Sequence, residues 1–202
     1  TALIGKWHLG KPPSYGPQRS GYDYFFGNHS GAIDYFTHKP GVGEQFSPDL
    51  WQGNEPVQRT GYYTYILGDE ATRYVHERKG QDKPFFLSLH FTAPHWPWEG
   101  PDDEHVAHSI KDLFHYDGGS LKKYGEIVEA LDKAVGSVLL AGVPLSECVL
   151  YTSGRVPMDM VRKAIRAGVP ALVSKSMPTI QSLELAQEYG LQLVCGRKFP
   201  KV

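Results

Sequence analysis

The 202-residue sequence predicts an α/β protein assembled from two units, on three observations. Short apolar strand-forming runs alternate with helix-forming segments along the chain, which is the pattern of sheet and helix layers. That alternation is loose before residue 140, where loops rich in Gly, Pro and aromatic residues separate the elements, and tight after it. Composition changes at the same place. Of 25 aromatic residues 22 lie in positions 1–140, with all nine histidines and all four tryptophans, whereas the tail from Ala141 holds all three methionines and both cysteines. The tail carries eight basic residues against four acidic, the earlier part 13 against 18. Two vocabularies in one chain predict two units, drawn at 1–138 and 139–202.

Each element follows from its local signals. Ala2 to Ile4 is an apolar run stopped by Gly5, a strand whose C-terminal end delivers Lys6, Trp7 and His8. Loop signals dominate from Gly10 to Gly61. A helix is expected from Tyr63 to about Lys79, where Ile66, Ala71, Tyr74 and Val75 recur at helical spacing. The β-formers from Phe85 to Thr92 predict a buried strand, which Pro94 and Pro97 close. Ser120 caps a helix over Leu121 to Leu140 that presents Ile127, Leu131, Val135 and Val138 on one face. In the tail, CVLYTSG, PALVSKS and LQLVCGR read as strands separated by the helices PMDMVRKAIRAG and PTIQSLELAQEYG. Prolines open both helices and Gly168 and Gly190 close them, the asymmetry that helix ends favour. Strand, helix, strand at this spacing predicts a parallel βαβαβ unit.

Bulk properties exclude some functions. The formal net charge is −1 and the pI about 6.7, so the chain lacks the basic footprint that nucleic acid or an anionic membrane surface selects. No apolar run approaches the roughly 20 residues of a membrane span, and no signal peptide is present. The chain begins in mid-pattern at Thr1, so its N-terminus reads as truncated and the compartment stays open. Cys148 and Cys195 lie in apolar runs and are expected to be buried thiols rather than a disulfide framework.

The chemistry concentrates at strand ends. Lys6 and His8 are separated by two, so on a strand running out at its C-terminal end they project to one side, with Trp7 opposite. Such ends line the crevice where α/β folds bind ligands. An ammonium beside an imidazole suits a tetrahedral oxyanion, which needs neutralisation and a proton for its leaving oxygen. A surface lysine beside a half-buried histidine has the same spacing. His95 shifts the balance, because it follows a second strand and sits between Pro94 and Trp96, with Pro97 limiting the backbone beyond.

LIGKWHLG, GYDYFFG, DKPFFLSLHFTAPHWPW and YGEIVEALDKAVG, in this order, resemble the type I, formylglycine-dependent sulfatases over about residues 1–138. The resemblance implies part of an alkaline-phosphatase-like sheet and a small-molecule sulfate ester as ligand. It also implies that Lys6, His8 and His95 contact the sulfate in catalysis. Calcium and formylglycine are expected in such an enzyme. The cysteine of a C-x-P-S-R motif, which becomes formylglycine, is absent here, and so are the paired aspartates and the Asp-Asn pair that hold calcium. In LYTSGR at 150–155, Gly154 stands where the aspartate of that later motif belongs. Three polar side chains without nucleophile or metal are expected to bind an anion and accelerate little.

The tail resembles the C-terminal part of the formate dehydrogenase accessory sulfurtransferase family, FdhD, over about residues 130–202, on SGR, MVRKAIRAGVP and SKSMPT. That resemblance implies a cytidine-deaminase-like α/β unit and binding of molybdopterin guanine dinucleotide. Ser153, Arg155, Ser174 and Ser176 then fit a set of phosphate-contacting loops at strand ends, although ordinary helix caps explain Thr179 and, in part, Ser176. Residues 130–136 satisfy both families' patterns, which points to a chimera joined inside one helix. A sulfuric ester hydrolase segment, inactive alone, is thus the first reading. An accessory sulfurtransferase piece, or a chimeric chain with no independent function, is the alternative.

Weaker signals are read as structure. His105, His108 and His115 with Asp102, Asp103 and Asp112 match a solvated loop better than a metal cluster, so no metal ligands are assigned. Tyr22, Tyr24, Phe25 and Phe26 are read as core packing, and NHS at Asn28 is a glycosylation sequon that matters only for a protein made in a eukaryotic secretory pathway.

Overall fold

The computed structural model describes residues 1–112, 119–152, 155–174 and 176–196, which pack as two compact units, Thr1–Ala141 and the segment from Gly142 onward. The first holds a five-stranded sheet. Its strands are β1 (Ala2–Gly5), β2 (Tyr24–Gly27), β3 (Trp51–Gln52), β4 (Glu55–Pro56) and β5 (Leu87–His90), in the order β4-β3-β2-β1-β5. β1 lies between β2 and β5 and is parallel to both, with Leu3 opposite Phe25 and Gly5 opposite His90. β2, β3 and β4 continue antiparallel. A strand with parallel neighbours on both sides has both faces covered, hence the unbroken apolar run in which Ala2, Leu3 and Ile4 are all fully buried.

Helices α1 (Tyr63–Arg78), α2 (Glu104–Ala107) and α3 (Leu121–Leu139) complete the unit. α1 buries Tyr63, Leu67, Ala71 and Tyr74, a stripe of helical period. α3 buries Ile127, Ala130 and Ala134, and Ser120 caps it by accepting the Lys123 N–H at 3.1 Å. The two helices meet at Gly68. A Cβ built there would stand 3.0 Å from the Cβ of Ala134, so the closeness of the crossing depends on two small residues. Ile4, Phe26, Ile33, Leu50, Leu67 and Ile127 join the two helices and the sheet in one core.

Two expectations change. The buried strand predicted over Phe85 to Thr92 is paired only from Leu87 to His90, the span of its partner β1 from Ala2 to Gly5, and as an edge strand it is half-buried at Leu87–Leu89 and exposed at His90. Phe85 instead turns its ring edge-on to Tyr74, with centroids 5.9 Å apart. The segment Gly10–Gly61 contains β2 and a hairpin of β3 and β4, where local signals favoured loop. Tyr24–Gly27 becomes a strand through pairing with β1, a non-local partner, and Phe25 and Phe26 are fully buried.

In the second unit, β6 (Val149–Thr152), α4 (Met158–Ala167), β7 (Ala171–Ser174), α5 (Ile180–Glu188) and β8 (Gln192–Cys195) alternate as expected, and the strands are parallel in the order β6-β7-β8. Leu150, Leu172 and Leu193 stand side by side on one face and pack with Val161, Ala164 and Ala186 of the helices. The opposite face leaves Val149 and Tyr151 64% and 47% exposed. Gly168 ends α4 in the left-handed region at φ 72°, where its N–H closes the helix onto Ala164 and Ile165. Cys148 and Cys195 are free thiols, half-buried rather than enclosed. Among the described residues no helix is long and apolar enough to cross a membrane.

Replacing Gly68 by valine forces a branched side chain into the α1–α3 crossing. The expected cost is about 1–3 kcal/mol, read as a lower urea midpoint with an unchanged slope; an unaltered midpoint would mean the helices separate freely.

Candidate functional site

β1, β2 and β5 end at one edge of the first sheet, and the loops that leave them are stitched together by backbone hydrogen bonds. Lys6 N–H donates to the carbonyl of His90 at the end of β5 (2.8 Å), whereas Trp7 and His8 N–H donate to Asn28 and His29 after β2 (2.9 and 3.2 Å). The His90 ring returns toward the first strand, its Nδ1 3.2 Å from the Lys6 carbonyl. The Gly-Lys-Trp-His segment is thereby held on both sides without being a strand.

This arrangement revises how Lys6 and His8 are positioned. β1 stops at Gly5, and His8 lies in the left-handed region at φ 54°, so a turn sets the two side chains rather than the pleat of a strand. Trp7 anchors the turn. Its Nε1–H donates to the Tyr15 carbonyl at 2.7 Å and its ring meets Tyr22 edge-on. The exposed His8 ring lies over Gly31, where a Cβ would come within 2.4 Å of Cε1, so a side chain at 31 would displace the imidazole. Lys6 is half-buried, and burial pulls its ammonium below the ordinary lysine range.

His95 leaves the same edge, five residues beyond β5. Its N–H bonds to Thr92, its carbonyl accepts from the Tyr35 hydroxyl at 2.9 Å, and its Nδ1 lies 2.9 Å from the Trp96 carbonyl. A carbonyl only accepts, so Nδ1 carries the hydrogen and Nε2 of this exposed ring is left for a ligand. Lys6, His8 and His95 therefore share one sheet edge.

The brace behind His95 was not visible from residue spacing. Glu99 is fully buried; its Oε2 accepts the Tyr35 N–H at 3.2 Å and its carbonyl accepts the Tyr62 hydroxyl at 2.8 Å. Asp34 beside it is oriented by the N–H groups of Phe36 and Thr37. Burial first, and the Asp34 charge next, push the Glu99 carboxyl from the usual 4.5 to about 9, so it is neutral at pH 7.

Other candidates fall elsewhere. Asn28 is fully buried, with its Oδ1 accepting from Tyr63 and its Nδ2 donating to Ser30, so the sequon is not a glycan acceptor. Asp103 pairs with Lys123 at 2.6 Å, His115 lies outside the described residues, and no group of three or more His, Cys, Asp and Glu residues gathers among those described. In the second unit Arg155 is exposed beyond β6, whereas Ser174 is fully buried with its Oγ accepting the Ser176 N–H at 3.0 Å. Ser176 is half-buried and Ser153 lies outside the described residues. Thr179 is the α5 cap, accepting from Ser182. Lys11, Arg19 and His29, missed from sequence, line a cleft near His8. The signal was GNHSG directly after a strand, and the strand itself was not legible.

Comparison with known proteins finds two family models. The sulfatase model matches residues 1–158 and the FdhD/NarQ family model residues 129–201. The uncharacterized sulfatase YdeN of Escherichia coli K12 is 28% identical over 162 residues, 69% of this chain and 27% of the relative. An N-acetylglucosamine-6-O-sulfatase of Bacteroides thetaiotaomicron is 33% identical over 98 residues, 48% and 15% of the two chains. The sulfur carrier protein FdhD of Streptomyces avermitilis is 46% identical over 66 residues, 32% and 23%. Among solved structures, Ps i-CgsB in complex with k-i-k-neocarrahexaose superposes with a TM-score of 0.55 at 27% identity, covering 70% of this chain and 33% of that one. The chain spans about a quarter of the length of the curated relatives it matches.

Glu99 makes stability depend on pH. Its folded pKa is raised, so the stability it lends is complete below pH 4.5 and is lost as pH rises toward about 9. Urea unfolding between pH 5 and 9 is expected to show this decline, and Glu99→Gln, which keeps the neutral form, to flatten it. An equal decline in the variant would assign the loss to other groups.

Proposed function

The chain belongs to the sulfatase family, matched over residues 1–158, and on that premise we propose that its first unit is the sulfate-binding part of a sulfuric ester hydrolase. Lys6, His8 and His95 are the groups that take the sulfate. The observation that carries this reading is the shared edge: neighbouring parallel strands β1 and β5 send a half-buried ammonium and an imidazole with an unengaged Nε2 into adjacent loops. A sulfate monoester spreads its charge over peripheral oxygens. An ammonium partly withdrawn from water attracts that charge more strongly than a solvated one. The names of two relatives, one acting on N-acetylglucosamine 6-sulfate and one bound to a neocarrahexaose, favour a sulfated sugar over a simple aryl ester.

Calcium and formylglycine do not fit the residues present. Both cysteines lie in the tail, outside any C-x-P-S-R run, and no group of three or more acidic, His or Cys side chains among the described residues is arranged to hold a metal ion. No step is derived through either group. These 202 residues bind a sulfate ester without hydrolysing it through a formylglycine.

The FdhD/NarQ match favours a second reading for the tail, as a cofactor-binding piece of a sulfur carrier. Arg155, exposed past β6, suits a phosphate of a guanine dinucleotide. Ser174, buried and bonded to Ser176, fits a structural part in the turn after β7 instead. The two matches overlap at 129–158, which supports a chimera joined within α3.

Isothermal titration with 4-nitrophenyl sulfate tests the first reading. Binding without release of nitrophenol is expected, weakened about tenfold by Lys6→Ala and by His95→Ala, the size of one charge-assisted contact. Equal affinity in both variants, or release of nitrophenol by the wild type, would overturn it. For the tail, GDP binding that survives Arg155→Ala unchanged would remove that residue from the site.

A further inference from the structure

A cleft of about 550 Å3 opens in the first unit between the segment Lys11–Arg19 and the turn at Trp51–Asn54. Its lining has a definite chemistry. Lys11 and Arg19 bring two cations, Gln18 and Asn54 two amides, and Trp51 an indole face, with His29 completing the wall. His29 is the telling residue. It is only 3% exposed, and among the described residues neither ring nitrogen has a hydrogen-bond partner.

The nearest acid does not satisfy it. Asp49 Oδ1 stands 3.9 Å from His29 Nδ1, beyond hydrogen-bond reach, and both Asp49 oxygens are engaged: Oδ1 by Trp51 Nε1–H and Oδ2 by the Ser30 N–H, each at 2.7 Å. Asp49 thus fixes the indole and leaves the imidazole unpaired. Phe25 and Trp51 hold the imidazole ring, each with its centroid 5.1 Å away. Buried polar groups are nearly always satisfied, so an unpartnered imidazole in a cleft wall calls for a partner beyond the described residues. The cleft also adjoins the sulfate loop, because the His29 carbonyl accepts the His8 N–H.

We propose that this cleft is a second anion subsite, which receives the carboxylate or sulfate of an acidic sugar unit joined to the unit that bears the ester. Lys11 and Arg19 hold the anion, His29 donates one N–H to it, Trp51 packs on the pyranose face, and Gln18 and Asn54 meet hydroxyls. Burial first, and the Lys11 charge after the opposing pull of Asp49, keep His29 biased to the neutral form, which has one N–H to give. The linkage to an ester-bearing unit rests on the sulfate reading of the neighbouring loop; the cleft's own preference for an acidic sugar does not. The consequence is selectivity for ligands with anionic groups on adjacent rings.

Two measurements on the full chain separate these parts. In the first, the His29 ring resonance, assigned by loss in His29→Gln, is followed while glucuronate, galactose 6-sulfate or neutral galactose is added. Either acidic sugar is expected to move it, which also tells carboxylate from sulfate, and Lys11→Ala to weaken that binding about tenfold. A response to galactose equal to that for both acids, or no response to any, would overturn the proposal. In the second, calorimetry compares galactose 4-sulfate with the chondroitin 4-sulfate disaccharide, which carries a carboxylate on the next ring. Lys11→Ala and Arg19→Ala should each remove about tenfold of the disaccharide's affinity and leave the single ring's Lys6-dependent binding unchanged, while Lys6→Ala weakens both ligands. Disaccharide binding indifferent to Lys11 and Arg19 would sink the subsite. Indifference to Lys6 with dependence on Lys11 would remove the sulfate reading and leave the subsite standing.

Discussion

The first unit depends on how closely three backbones approach where its parallel strands end. A Cβ at Gly5 would lie 1.9 Å from the carbonyl oxygen of His90, and one at Gly27 would lie 2.0 Å from that of Gly5. Neither position accepts a side chain, and both glycines have positive φ, 116° and 153°, which other residues rarely adopt. The approach lets three loops exchange backbone hydrogen bonds immediately beyond the sheet. Lys6, His8, His29 and His95 are then carried on segments whose main chains already constrain one another. An anion site needs that preorganisation, since charged side chains on free loops would lose much of their binding energy to ordering.

Much of this was legible because it is local. The apolar run before Gly5, the helical stripes of α1 and α3, the Ser120 cap and the proline–glycine punctuation of the tail are written within a few residues of where they act. β2 was not, since Tyr24–Gly27 is short and becomes a strand by lying beside β1. The same holds for charge and satisfaction. Nothing near Glu99 in sequence announces that Asp34 and Tyr35, more than sixty residues away, will share its burial and brace the His95 loop. His29 is more telling still, because its meaning lies in partners already taken: Asp49 is close, yet both its oxygens are spent on Trp51 and Ser30. Spacing locates residues that act as a motif, whereas a burial brace or an orphaned imidazole exists only once distant segments are packed.

The change of vocabulary near residue 140 falls close to where the chain passes from one compact unit to the next, at Ala141. α3 is covered in its second half by both family matches, yet the whole helix behaves as part of the first core, with Ile127, Ala130 and Ala134 buried and Ala134 seated against Gly68. An amphipathic helix asks little of sequence beyond small or apolar residues at the right period. A segment with the vocabulary of one family can therefore serve the core of another, provided the crossing position stays small. Such an element tolerates a join better than a strand does, because shifting a strand by one residue turns its whole apolar face outward.

Binding and turnover separate in a site of this kind for a thermodynamic reason. Contacts made equally to a bound ester and to its transition state raise affinity and leave the bound barrier unchanged. In the sulfate reading proposed for Lys6, His8 and His95, these groups would meet charge that the sulfate already carries in the ground state, so their attraction would be of this uniform sort. Rate enhancement requires a group that forms a new bond as the old one breaks, together with stabilisation of charge that appears only then. The subsite proposed at His29 would act in the same way: a second anion held there would add affinity and discrimination at a distance from the ester bond. Selectivity between ligands and the rate of a chemical step can therefore be set by different groups, the first by contacts present in the bound ground state and the second by contacts that form only as bonds change.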